Sequence, residues 1–158
     1  MGWTIASRFA RLGADLAICG RDPKDAQDAQ DQLANTGYGM VWGTGADMTD
    51  PTAVIDFSRQ ALNQLGSLDF IVMNAGGALA DGSLLATADD WIRTYTLNTL
   101  QLVLLIQTTL PILRQSSQGA VVAITSISGR LAAPRAQYGA SKAATRYVAT
   151  EKGVSFRF

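Results

Sequence analysis

Histidine is absent from this chain of 158 residues, and cysteine occurs once, at position 19. Without histidine there is no Ser-His or Cys-His nucleophile pair, and the commonest metal-binding side chain is missing. We therefore expect no metal site. A single cysteine excludes an internal disulfide, and we expect Cys19 to be a small buried strand residue. Acid–base chemistry near neutral pH must then use a tyrosine, a lysine or a carboxylate.

Charged side chains and long apolar runs are also scarce. Charged residues make up 16% of the sequence, with 13 basic and 13 acidic side chains, against an average of about 25%. This neutral balance argues against electrostatic binding to nucleic acid or to anionic lipid. The longest aliphatic run covers residues 102–106, whereas a membrane span needs about 20 residues. With no secretory leader pattern, we expect one cytoplasmic domain without nucleic-acid or membrane partners.

Short apolar segments alternate with longer helical ones. Strands are predicted at residues 16–19, 40–42, 70–73 and 120–125. They are almost entirely apolar, as expected of parallel strands covered on both faces. Asp22-Pro23, Asp50-Pro51 and the Thr87/Asp90 pair predict helix starts, and Gly13, Gly37 and Gly66 predict helix ends. The fold class is therefore α/β, a Rossmann-like doubly wound parallel sheet.

A long helix is predicted over about residues 89–113. Apolar and amide side chains recur along it at spacings of three or four, which predicts that one stripe faces the sheet. The stripe contains Trp91, Tyr95, Asn98, Leu102 and Ile106. Pro111 is expected to kink or end this helix.

Tyr138 and Lys142 are four residues apart on a predicted helix, so they share a face. A cation within about 4–6 Å lowers the pKa of a tyrosine by roughly 1–3 units, which makes the phenol useful for proton transfer. Ser126 lies twelve residues earlier, at the end of a predicted strand. All three are thus expected at the carboxyl edge of the sheet, where ligands of such sheets bind. Taken alone, the pair is more readily explained as a surface pair.

With these residues the sequence resembles the short-chain dehydrogenase/reductase family. Asn74-Ala75-Gly76 after the third predicted strand, Asn98 on the long helix and Asp47 after the second strand match that family in order and spacing. The resemblance implies that Ser126 binds the substrate carbonyl, Tyr138 transfers the proton, and Lys142 binds the nicotinamide ribose. It further implies that Asn98 holds a water, that residues 74–76 line the cofactor site, and that Asp47 contacts the adenine.

The same resemblance implies a nicotinamide cofactor and a small carbonyl or alcohol substrate. Arg21 follows Gly20 at the end of the first predicted strand, where NAD enzymes carry an acid and NADP enzymes an arginine. We therefore expect NADP(H) rather than NAD(H). Asp22 is the alternative ribose ligand, although it is more readily explained as a helix cap. Family members pair through the helices that match residues 89–113 and 136–151, so the resemblance implies a homodimer or homotetramer for an intact family member, and the short second helix argues against it here.

The sequence also departs from this family. Gly2 matches the last glycine of its glycine-rich turn, so we expect a sheet without the family's first strand and without its C-terminal strands and helix. Residues 154–158 could begin a further strand or be an irregular ending. The strands at 16–19 and 70–73 would then have unpaired edges. The alternative function is a non-catalytic fragment that cannot hold the cofactor. In either case we expect this chain by itself to bind NADP(H) very weakly. A methyltransferase-type fold is disfavoured, because it would not need Ser126, Tyr138 and Lys142 together.

Overall fold

The computed structural model describes residues 1–79, 83–131 and 134–150, in which four short strands alternate with helices. In chain order the elements are α1 (Gly2–Arg11), β1 (Leu16–Gly20), α2 (Pro23–Ala34), β2 (Val41–Gly45), α3 (Pro51–Leu65), β3 (Phe70–Met73), α4 (Ala88–Tyr95), α5 (Gln101–Leu113), β4 (Ala120–Ala123) and α6 (Ala136–Ala149). A π-helical turn, Thr96–Leu100, joins α4 to α5, and a 3₁₀ turn, Ile127–Gly129, follows β4. The predicted α/β class is confirmed. The expectation for residues 154–158 lies outside the described residues.

The strands form two separate parallel pairs. β1 pairs with β2 in the register Leu16↔Val41 to Gly20↔Gly45, and β3 pairs with β4 from Phe70↔Ala120 to Met73↔Ala123. Among the described residues no strand connects the two pairs. Residues of both β1 and β3 line a mainly apolar cavity of about 620 Å³, here called the inter-strand cavity. The expected unpaired edges of these two strands are confirmed.

Two strands end more than one residue away from the predicted position. β2 runs to Gly45 rather than to residue 42, because it stays paired with β1 along its whole length. Gly43 and Gly45 weaken the strand pattern, yet a Cβ at either position would lie 2.6 Å from an atom of α2, so their small size lets α2 pack closely. β4 ends at Ala123 rather than at residue 125, although Ile124 still donates its N–H to the Met73 carbonyl.

The helix starts are confirmed, but one predicted helix end is wrong. The Asp22 and Asp50 side chains accept hydrogen bonds from the N–H groups of Lys24 and Thr52, and Thr87 and Asp90 form a capping box. Gly66 caps α3 with φ 71°, and Gly13 follows α1 with φ 82°. Gly37 does not cap α2, which ends earlier, at Ala34. A Cβ at Gly37 would lie 1.9 Å from the Ala10 carbonyl oxygen, so glycine is required there by the close approach of α1.

The long helix is continuous from residue 88 to residue 113, and Pro111 lies inside its last turn without ending it. Leu102 and Ile106 belong to the main core cluster with residues of β3 and β4. Trp91 and Tyr95 do not belong to it; they are half-buried, and their rings stack with centroids 6.4 Å apart. The predicted stripe therefore reaches the core only in the second half of the helix.

By length and composition alone, residues 88–113 form one helix that could cross a membrane, in the part of the chain that the structure describes. The core helix of a soluble protein meets the same criterion. Packing of Leu102 and Ile106 against the strands already accounts for the apolar composition of this helix.

Candidate functional site

Lys142 lies in the second turn of α6, and only 2% of its surface is exposed to solvent. Its ammonium donates a hydrogen bond to the Ile124 carbonyl at 2.8 Å, just beyond the end of β4. The same nitrogen lies 5.9 Å from the centroid of the Tyr138 ring. Burial lowers the pKa of Lys142, because the charged form loses water. Tyr138 and Lys142 therefore lie near each other at the carboxyl edge of the sheet, and Lys142 is buried rather than at the surface.

Asn98 lies in the π-helical turn and is completely buried. Its side-chain amide pairs with the backbone of Gly77: Oδ1 accepts the Gly77 N–H at 3.0 Å, and Nδ2 donates to the Gly77 carbonyl at 2.8 Å. Nδ2 also donates to the Thr94 carbonyl, and the Asn98 carbonyl accepts a hydrogen bond from Thr145 Oγ1 at 2.7 Å. Asn98 thus holds the loop that follows β3 close to α6. That it also holds a water stays a prediction.

Asn74, Ala75 and Gly76 follow β3 directly, as predicted, and a second amide fixes them. Gln101 Nε2 donates to the Ala75 carbonyl at 2.7 Å and also to the Leu97 carbonyl. A Cβ at Gly76 would lie 2.8 Å from both Lys142 Nζ and Asn98 Oδ1, so only glycine leaves room for those two groups. The sequence analysis missed Gln101, although a glutamine in an apolar helix stripe is a signal of a buried polar contact.

Gly2 is brought to the same edge of the sheet. It begins α1, and a Cβ at this position would lie 2.8 Å from Nδ2 of Asn74. Met1, the N-cap residue, makes no side-chain hydrogen bond to the helix. The start of α1 therefore presents backbone N–H groups beside the residue 74–76 loop, an arrangement that suits an anion such as a pyrophosphate.

The 3₁₀ turn that follows Ser126 packs against α6, the helix that carries Tyr138. Ser126 caps this turn, its Oγ accepting the Ser128 N–H at 3.2 Å. The turn lies directly on α6, since a Cβ at Gly129 would be 2.7 Å from the Lys142 carbonyl carbon. Tyr138 lines a second cavity of about 410 Å³, here called the tyrosine cavity. Its described lining consists of Gly77, Ala78, Ser128, Pro134, Arg135 and Tyr138, so Ser128 faces it where Ser126 was expected.

Asp47 and Arg21 lie beyond the ends of β2 and β1, and both are exposed. Asp47 Oδ1 accepts the Thr49 N–H at 2.9 Å. This hydrogen bond lowers the pKa of Asp47, and the positive charges of Arg93 and Arg21 lower it further. Arg93, which the sequence analysis did not select, therefore belongs to the same region. Asp22 accepts the Lys24 N–H at 2.8 Å as the cap of α2, which confirms the cap interpretation of that residue.

Cys19 was expected to be buried, and this is wrong. It lines the inter-strand cavity and is exposed, because no strand among the described residues pairs with β1 on that side. The surrounding protein nevertheless removes much of its hydration, and this desolvation raises the pKa of the thiol to about 11. The thiol therefore stays protonated, and unreactive, near neutral pH.

Hydroxyl groups between the π-helical turn and α6 were also missed. Thr99 Oγ1 donates to the Ser141 carbonyl at 2.8 Å, and Thr145 Oγ1 lies 2.9 Å from that same oxygen. Thr145 and Ser141 are fully buried. Thr99 directly follows Asn98 and Thr145 lies three residues after Lys142, so their closeness to predicted site residues could have signalled this contact.

The comparisons with known proteins agree with this arrangement. The sequence model described as short chain dehydrogenase matches residues 1–153. The chain belongs to this family. It is 33% identical to hydroxysteroid 11-beta-dehydrogenase 1-like protein A of Xenopus laevis over 90% of this chain and 49% of that protein. It is 31% identical to dehydrogenase/reductase SDR family member 7B of Mus musculus over 92% of this chain and 46% of that protein.

Solved structures of the family have the same fold. A 7 alpha-hydroxysteroid dehydrogenase complexed with NADH and 7-oxo glycochenodeoxycholic acid is similar with a TM-score of 0.85 and 26% identity, covering 94% of this chain and 58% of that one. A metagenomic short-chain oxidoreductase in complex with NADP is similar with a TM-score of 0.85 and 25% identity, and the match covers 94% of this chain and 68% of that one. The chain spans about half the length of the curated relatives it matches.

Proposed function

We propose that this chain provides the cofactor-binding and proton-transfer core of an NADP(H)-dependent oxidoreductase that interconverts a small carbonyl compound and its alcohol. The observation that carries the proposal is the position of Lys142. Its buried ammonium lies 2.8 Å from the Ile124 carbonyl and 5.9 Å from the Tyr138 ring centroid, at the carboxyl edge of the sheet. A buried, unpaired lysine beside a phenol costs stability, so its presence favours a chemical role.

The residues at this edge fit a dinucleotide. The start of α1 at Gly2 offers N–H groups to a pyrophosphate, and Lys142 offers ammonium donors to ribose hydroxyls. Asn74, Ala75 and Gly76 line the space between them, and Asp47 stands at the adenosine end. A bound nicotinamide would donate or accept the hydride. The chain's own contribution is to orient the reactants and to move one proton.

We assign that proton to Tyr138, whose phenol lines the tyrosine cavity and would protonate the substrate oxygen during reduction. Ser126 would donate a hydrogen bond to the same oxygen. Lys142 would keep a positive charge beside the phenol, and Asn98 would hold a water that carries protons between Lys142 and solvent. Asn98 also fixes the loop at Gly77, which forms one wall of the tyrosine cavity.

The preference for NADP(H) rests on Arg21. The arginine follows β1 directly, and Asp22, the acid that could bind a ribose instead, is engaged as the cap of α2. We expect Arg21→Ala to weaken NADPH binding about tenfold or more, because a charge-assisted hydrogen bond to the 2′-phosphate is lost, and to leave NADH binding nearly unchanged. Nicotinamide fluorescence titrations measure both. Arg59→Ala, at an exposed arginine of α3, is the control; an equal loss for both cofactors would contradict the assignment.

The inter-strand cavity favours a second candidate function, a non-catalytic member of the family that does not hold the cofactor. β1 and β3 lack a common partner strand among the described residues, and Gly2 lies at the mouth of that gap. A fluorescence titration of the purified chain with NADPH separates the two. Micromolar binding that Lys142→Met weakens supports the enzyme, and millimolar or undetectable binding supports the non-catalytic member.

We further propose a cytoplasmic location and a homodimer or homotetramer formed through the long helix and α6. Three large apolar side chains on these elements are exposed and would be covered by a second copy: Ile92, Leu100 and Tyr147. Light scattering coupled to gel filtration tests the assembly. A strictly monomeric chain at high micromolar concentration would count against it.

A further inference from the structure

The charge of this chain is distributed unevenly along the sequence. Residues 91–150 contain no aspartate or glutamate. The same stretch contains six basic residues: Arg93, Arg114, Arg130, Arg135, Lys142 and Arg146. It includes α5, β4, α6 and the 3₁₀ turn, whose Ser128 lines the tyrosine cavity. A cleft built from residues of one sign of charge concentrates ligands of the opposite sign.

Arg135 brings this positive charge into the tyrosine cavity itself. Of the described residues that line the cavity, it is the one with a charged side chain; the others are glycine, alanine, proline, serine and tyrosine. Arg135 immediately precedes α6, and it lies three positions before Tyr138 along the chain. Within the described ranges the salt bridge found is Lys24–Asp28, so the guanidinium has no carboxylate partner there.

We propose that the substrate carries an anionic group, a carboxylate or a phosphate, that binds Arg135 while its carbonyl faces Tyr138. This inference rests on the proposed function. The planar guanidinium offers paired N–H donors that match the oxygens of either anion. Binding the anion at Arg135 fixes one end of a small molecule, and the cavity of about 410 Å³ then holds its carbonyl end. Arg135 is thus a specificity-determining residue.

The catalytic test compares matched substrates and matched variants. The charged substrates are 2-oxobutanoate and dihydroxyacetone phosphate, and their neutral counterparts are 2-oxobutanamide and dihydroxyacetone. We expect NADPH-dependent kcat/KM to favour at least one charged member over its counterpart by about ten- to hundredfold, the range of a hydrogen bond to a charged group. Arg135→Gln abolishes that preference and Arg135→Lys restores part of it. The pair that shows the larger effect distinguishes carboxylate from phosphate.

Arg146→Gln is the control. Arg146 is an exposed arginine of the same helix that does not line the cavity, so its loss removes the same net charge without touching the site. The preference should survive in this variant. Retained preference in Arg135→Gln, or an equal loss in Arg146→Gln, overturns the proposal. Because Arg135 is exposed and makes no side-chain cap hydrogen bond, neither variant should change the thermal midpoint.

A binding measurement separates this proposal from the proposed function. Oxamate and inorganic phosphate are anions that the enzyme cannot reduce, and oxamide is the neutral counterpart of oxamate. If no substrate is turned over, the proposed function fails. NMR titration of the chain with these three compounds still shows whether Arg135 binds an anionic group. Binding of either anion but not oxamide, lost in Arg135→Gln and kept in Arg146→Gln, supports the proposal. Equal binding of anions and oxamide, or unchanged binding in Arg135→Gln, overturns it.

Discussion

Lys142 combines three features that are rarely found together in a structural lysine. It is almost fully buried, its described hydrogen-bond acceptor is one carbonyl oxygen, and burial lowers its pKa. A charged group in this position destabilises the folded state unless an acceptor or partner offsets the lost hydration. The loop after β3 packs closely against this ammonium at Gly76, because a Cβ there would lie 2.8 Å from Nζ.

This burial predicts a pH effect on stability. Because the folded pKa lies below the ordinary value of 10.5, the unfolded chain binds more protons between those two values, and the free energy of unfolding rises with pH there. Lys142→Met should lose this rise and be at least as stable as the wild type at pH 7. Urea denaturation between pH 7 and 10.5 measures both effects. In Lys24→Met, which changes an exposed lysine, the rise should persist; an unchanged slope in Lys142→Met would contradict the prediction.

Tyr138→Phe tests the proton donor. The change removes one hydroxyl from the tyrosine cavity, so we expect turnover to fall by about 10²- to 10⁴-fold, the usual contribution of a positioned acid or base. NADPH affinity should stay close to the wild-type value, since only the hydroxyl that donates the proton is lost and the ring remains. Steady-state kinetics and fluorescence titration measure the two quantities. Tyr147→Phe, at an exposed tyrosine of α6, should leave both unchanged; retained turnover in Tyr138→Phe would remove that residue from the reaction.

Among the helices and strands, close backbone contacts explain positions where the local sequence pattern misled the prediction. Gly37 does not end α2 but lets the last turn of α1 approach the loop after α2. Gly43 and Gly45 serve the packing of α2 against β2 in the same way. In each case glycine is required because a neighbouring element packs too closely for a side chain, and not because of the backbone conformation of its own segment.

Gly37→Ala should therefore destabilise the fold. Its Cβ would lie 1.9 Å from the Ala10 carbonyl oxygen, so α1 must shift, and overpacking of this kind typically costs about 1–3 kcal/mol. Chemical denaturation measures the loss. Gly77→Ala is the matched control, because nothing lies within 4 Å of a Cβ at that position. Equal stability of the two variants would show that the contact between α1 and the loop relaxes without cost.

Considered as one body, the chain consists of two parallel strand pairs on either side of the inter-strand cavity. Within the part of the chain that the structure describes, β1 and β3 each have one edge of N–H and C=O groups with no partner strand, and the cavity walls between them are largely apolar. Such edges pair readily with another extended segment. The stability of the chain should therefore depend on whether that space is filled.

A Val- and Ile-rich peptide of about five residues, long enough to match β1 at roughly 3.3 Å per residue, should bind in this space and raise the thermal midpoint. Because the peptide binds the folded state alone, the rise should grow with its concentration. Differential scanning fluorimetry measures it. The same peptide with alternate N-methylated amides keeps its hydrophobicity but loses ladder hydrogen bonds, so it should have little effect. An equal effect of both peptides would indicate nonspecific apolar binding.

Much of this arrangement was predicted from local sequence. The order of strands and helices and the caps at Asp22, Asp50 and Thr87 follow from short-range patterns, since capping and periodicity act within a few residues. The grouping of Asn98 with Tyr138 and Lys142 was expected only from the resemblance to the family. The link from Ser126 to Tyr138 was only partly anticipated, because Ser128 faces the cavity. Gln101 and Thr145 were missed, because their partners lie 26 and 47 residues away in sequence.

The sequence by itself determined the family, the element order and the residues available for proton transfer, because these depend on residue type and spacing. Only the tertiary structure decided that Lys142 is buried and Cys19 exposed, and that Arg135 shares a cavity with Tyr138. Burial and the sharing of a cavity depend on which distant segments meet, and so does the exposure of Cys19, which follows from the missing strand partner of β1. No pattern within one segment contains that information.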